Sequence, residues 1–83
     1  MESKYLSFEK YTIPGRKTSL YDVKNKQTLE QLGTIYFYPA WRKFVFEPFA
    51  DLIFDNSCLT DIIEFIKEVQ AEWKENLKHE SSR

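Results

Sequence analysis

Few side chains in this sequence are of a type that does covalent or acid–base chemistry, and none stands where a second could work with it. The single histidine, His79, follows the last apolar-periodic stretch, where a cation complements the negative end of a helix. Capping or solvent contact accounts for it better than general-base work. The lone cysteine, Cys58, falls at the expected start of that helix, a position that favours a thiolate, yet it precedes Leu59 at the margin of an apolar arc. It reads as a small structural hydrophobe. Asp51 and Asp55 have no neighbouring histidine and no ligand spacing for zinc or calcium. Pro14-Gly15-Arg16-Lys17 sets two cations beside one turn, too short for a loop that cradles phosphate. The protein is therefore read as not an enzyme, with no cofactor and no metal.

The elements that position the remaining candidates follow from a change of period near the middle of the chain. Around Gly33 to Phe46 the apolar residues alternate as in strands, and from Ser57 to Leu77 they recur as on a helix. The expected fold is α+β, a small antiparallel sheet of three to four strands packed on one C-terminal helix. A single domain is expected: an N-terminal arm over 1–18, the sheet over 19–54, the helix over 57–78 and a frayed tail over 79–83. The sheet reads as Ser19 to Val23, Thr34 to Tyr38 and Arg42 to Phe46, with Leu52 to Phe54 as a short fourth strand at one edge. Asn56 or Ser57 is the expected N-cap.

A four-residue loop containing Pro39 closes the central hairpin, and pairing Phe37 with Arg42 around it sets Ile35 opposite Phe44 and Tyr36 opposite Lys43. Alternation then puts Ile35, Phe37, Phe44 and Phe46 on the core face. The other face carries Thr34, Tyr36, Tyr38, Trp41, Lys43 and Val45. A platform of Tyr36, Tyr38, Trp41 and Lys43 has the composition of a surface that grips another protein or stacks bases. On the plainest reading the same rings are cross-strand pairs that stabilise the hairpin.

On the helix, Leu59, Ile62, Ile63, Ile66, Val69 and Trp73 share one arc, with Leu77 beyond them and Cys58 and Phe65 at its edge. Opposite lie Asp61, Glu64, Glu68, Glu72 and Glu75. Carboxylates at about one per turn mimic a line of phosphates, which makes this stripe a second candidate for partner binding. A solvated polar face is the ordinary alternative. Because the helix is longer than any of its strands, Trp73 and Leu77 would overhang the sheet. The arm from Tyr5 to Ile13 is expected to cover them, with a homodimer as the alternative to a monomer.

The chain has 83 residues and fourteen aromatic side chains, enough ring volume for one core without disulfides. Its charge is uneven: residues 1–46 hold eight basic and four acidic side chains, and residues 47–83 hold four and nine. A charged partner is in keeping with that asymmetry. Neither a signal-like apolar run nor a stretch of about 18 apolar residues occurs. The expected setting is the cytoplasm of a bacterial host, with no membrane association.

The run Leu32-Gly33, Ile35, Trp41-Arg42-Lys43-Phe44-Val45-Phe46 and Pro48, followed by Phe54, Cys58-Leu59, Asp61-Ile62 and Phe65, resembles a family of short proteins encoded by phages, prophages and other mobile elements. The resemblance spans Tyr21 to Ile66. That family has no assigned activity; small phage accessory proteins commonly act by binding. The expected function is stoichiometric binding to a host or defence protein, with counter-defence as a narrower expectation. The alternative is a small nucleic-acid-binding module, since a three-stranded sheet with one packed helix also resembles domains that integrases and some transcription factors lay on DNA. An acidic helix argues against that alternative.

Overall fold

Alternation of inward and outward side chains builds four strands, β1 (Leu6–Tyr11), β2 (Leu20–Asn25), β3 (Gln31–Tyr38) and β4 (Lys43–Pro48), and the 3.6-residue period builds α1 (Asn56–Ser81). The computed structural model describes residues 3–81, with side chains through Leu77. The strands form an antiparallel meander in the order β1-β2-β3-β4, and α1 covers one face. This is the α+β architecture expected.

The sheet begins earlier than expected. Leu6 and Phe8 alternate inward on β1 and sit beside Val23 and its neighbours on β2, so much of the arm is a full edge strand. At the other edge, 52–55 contain no strand. Phe54 instead sets its ring edge-on to Phe46, with centroids 5.5 Å apart, and β4 is left as an open edge.

Local chemistry places the turns. Ile13-Pro14-Gly15-Arg16 closes with Arg16 N–H donating to the Ile13 carbonyl at 3.0 Å, and Gly15 takes φ 91° as a type II turn requires. Asn25 Oδ1 accepts the N–H groups of Gln27 and Thr28 at 2.8 and 3.1 Å, which holds the β2–β3 connection. In the central hairpin the loop is Pro39 to Arg42, with Arg42 at φ 54°. The pairs are therefore Tyr38 with Lys43, Phe37 with Phe44, Tyr36 with Val45 and Ile35 with Phe46, which corrects the expected pairing of Phe37 with Arg42. The displacement is an even number of positions, so every side chain keeps its expected face. Gly33 leaves no room for a side chain: a Cβ there would stand 2.6 Å from both the Glu47 carbonyl oxygen and the Phe46 ring.

The N-cap of α1 is Asp55 rather than Asn56 or Ser57. Its Oδ1 accepts the Cys58 N–H at 2.9 Å, three residues on, as a capping aspartate does. The helix continues past the expected stop near residue 78 because Lys78, His79 and Glu80 include neither glycine nor proline. The His79 side chain and the last two positions of the expected tail, 82 and 83, lie outside the described residues.

Leu6, Tyr21, Val23, Ile35, Phe44, Ile62 and Val69 form the buried core. The helix is rotated about its axis relative to the expected arc. Phe65, expected at the margin, stacks on Phe8 with centroids 4.1 Å apart and meets Tyr21 edge-on at 5.0 Å. Leu59, Ile63 and Leu77, expected in the core, are 42, 52 and 38 % exposed. The cause is β1: an extra strand on one side draws the helix toward Phe8. Trp73 packs on Phe37 at 4.8 Å and Phe44 at 6.5 Å, while Lys10 of the expected arm lines a small cleft with it, so rings of the sheet cover it together with the arm.

Ser3 ties the start of the described chain to the helix. Its buried Oγ donates to Asp61 Oδ2 at 2.5 Å and accepts the Leu6 N–H at 3.1 Å, while Lys26 Nζ donates to the Ser3 carbonyl at 2.6 Å.

Candidate functional site

Strand pairing brings three of the four sheet-face candidates together. Tyr36 and Tyr38 are two apart on β3 and point away from the helix. Trp41, in the hairpin loop, folds back so that its ring meets Tyr38 edge-on with centroids 5.0 Å apart. With Val45 and Pro48 these rings line a shallow depression on the outer sheet face. Trp41 is 67 % exposed, the Tyr38 ring is also exposed, and Tyr36 is half-buried. Lys43 pairs with Tyr38 but stands at the corner of the sheet, where it overhangs the gap between β4 and α1 together with Arg42.

Tyr36 is anchored. Its hydroxyl donates to Glu47 Oε1 at 2.9 Å, across the β3–β4 ladder. That hydrogen bond raises the phenol above its ordinary ionisation range, with burial and the Glu47 charge adding to it and the Arg16 cation opposing. Arg16, on the β1–β2 turn, is thus within electrostatic reach of the platform. Tyr38 and Trp41 are held by ring contact and the hairpin backbone, which leaves their outer faces for a ligand.

The five carboxylates of the helix candidate do not form one surface. Asp61 is half-buried and bonded by Ser3, on the side facing β1. Glu64 lies 3.5 Å from Lys67. Glu72 lines a small cleft with Lys10, Lys17 and Tyr21, and its charge, after burial, raises the Tyr21 phenol. Glu64, Glu68 and Glu75 remain together on the exposed back of α1.

Cys58 is half-buried, and its thiol is pushed up first by burial and then by the Asp55 carboxylate. The cap residue that serves the helix thus suppresses the thiolate that a helix N-terminus would otherwise favour. Among the described residues no three His, Cys, Asp or Glu side chains converge as a metal site would require, and no helix is long and apolar enough to cross a membrane.

Sequence reasoning missed one feature, a groove between the open edge of β4 and α1 where Arg42, Lys43, Lys67 and Lys74 meet. Lys67 and Lys74, a heptad apart, share one flank of the helix, which periodicity shows. That this flank faces β4 depends on the helix rotation set by β1, which periodicity does not show.

No family model matches the chain, and no solved structure matches it. Among curated proteins, 73 residues align at 32 % identity with a protein of Acholeplasma phage L2 named "Uncharacterized 9.3 kDa protein", covering 88 % of this chain and 94 % of the phage protein. With identity at that level over nearly the full length of both, this chain belongs to the family of that small phage protein.

Proposed function

We propose that the protein is a phage-type accessory protein that works by stoichiometric binding to a protein of the bacterial host, with Tyr36, Tyr38 and Trp41 as the contact face. The observation that carries the reading is Trp41, braced by Tyr38 at 5.0 Å yet two-thirds exposed. A large ring held still and left open is the usual anchor of a protein interface, because it buries much area at little cost in side-chain order. A host defence component is the narrower target within this reading, and the phage kinship supports it.

The test is capture of partners from nuclease-treated bacterial lysate on the tagged protein, in parallel with Trp41→Ala and Tyr38→Ala combined. One protein retained near equal stoichiometry by the wild type and lost by the variant is the expected result, with the variant still folded by circular dichroism. Equal retention by both would remove the outer face from consideration. A second reading, binding of single-stranded nucleic acid, draws on the same rings with Arg16 in electrostatic reach of them and Arg42 and Lys43 at the sheet corner. It requires that retention vanish with nuclease and weaken by about an order of magnitude or more as salt rises.

A further inference from the structure

The β3–β4 turn has two sides. Trp41 belongs to the outer face, while Arg42 and Lys43 overhang the groove between β4 and α1. That groove encloses roughly 420 Å³, within the range of sites that take a small ligand or the side chains of a peptide segment. Its floor is apolar, made by Phe44, Ile66 and Ala71. Its rim is cationic, made by Arg42, Lys43, Lys67 and Lys74, with Glu64 3.5 Å from Lys67. Gln70 reaches across it to accept the Phe44 N–H at 2.9 Å. Strand β4 thus offers its outer backbone here to a side chain rather than to another strand, a bond that an incoming extended segment can exchange for its own carbonyl.

Charge decides what fits. A second copy of this chain seated on the same face by a twofold axis would bring four cations against four, which opposes self-association there. Nucleic acid would satisfy the rim but leave the apolar floor bare. A peptide segment with carboxylates flanking a large apolar side chain satisfies both rim and floor. We propose that this groove is a docking site for a short acidic segment of a partner protein. The proposal rests on the reading of the protein as a binder but uses none of the outer-face residues.

The experiment is selection of a random peptide library of about 12 residues on the immobilised full-length protein, followed by fluorescence anisotropy of the enriched peptides. Enriched sequences are expected to cluster Asp and Glu around a Leu, Phe or Trp. Their affinity should fall about tenfold or more in Lys67→Glu with Lys74→Glu, which reverses the rim, and in Ala71→Trp, which fills the floor without changing charge. Trp41→Ala should bind the same peptides as wild type, so failure of the groove and failure of the outer face are told apart. Circular dichroism checks that each variant is folded. Absence of enrichment, enriched peptides without acidic residues, or affinity unchanged in both groove variants would overturn the proposal. Peptide binding lost in Trp41→Ala alone would move the site to the outer face, and a single-stranded oligonucleotide that displaces the peptides would assign the groove to nucleic acid; either also overturns it.

Discussion

At the scale of single residues, Tyr36 joins structure to surface. Its bond to Glu47 exists only with the phenol protonated, so the folded state raises its pKa above the ordinary value near 10.0. A group whose folded pKa is raised contributes stability that is complete below the unfolded pKa and is lost as pH rises through the folded one. We expect the absorbance titration that disappears in Tyr36→Phe to have its midpoint above pH 10, and Glu47→Gln to move that midpoint down, since the carboxylate charge is removed. A midpoint unchanged by Glu47→Gln would mean the hydrogen bond does not persist in solution. Of the candidate residues, the outward direction of Tyr36 and Tyr38 was legible from alternation alone. The brace between Tyr38 and Trp41 was not, because it depends on where the loop turns, and that depends on Arg42 entering the left-handed region.

At the scale of elements, the strands and the helix were legible because each repeats one period over enough residues to outweigh local noise. Leu6 and Phe8 are too short an alternation for that, and β1 was accordingly hidden in an arm. Missing it displaced the reading of the helix as well. Periodicity locates an apolar arc but weighs its two margins alike, whereas Phe8 stacked on Phe65 pulls one margin inward and leaves Leu59 and Ile63 on the other outside. Phe65→Ala should therefore cost about 3 kcal/mol in chemical denaturation, the usual toll of emptying an aromatic site in a core. Leu59→Ala and Ile63→Ala should each cost under about 1 kcal/mol, as exposed positions do. Equal losses at all three would restore the arc read from the sequence.

At the scale of the whole molecule, several contacts close the fold between distant parts of the chain. Among them are the aromatic contact between sheet and helix, the Gln70 bond to Phe44, and Ser3 with Asp61, which are 58 positions apart. In a double-mutant cycle of Ser3→Ala and Asp61→Asn, we expect a coupling of about 1.5–3 kcal/mol, the range for a hydrogen bond to a charged group. Additive losses would mean that the start of the chain is not held to the helix. The meander itself carries a consequence in time. Each strand pairs with its neighbour in sequence, so the sheet is built from contacts of short sequence separation, which close faster than pairings between distant strands. The 26 residues of α1 follow the last strand, and at ordinary rates of synthesis they take about one to five seconds to make. Until those residues are made, Phe8, Tyr21, Ile35 and Phe44 have no helix to pack against, so the core closes only after synthesis has passed the sheet.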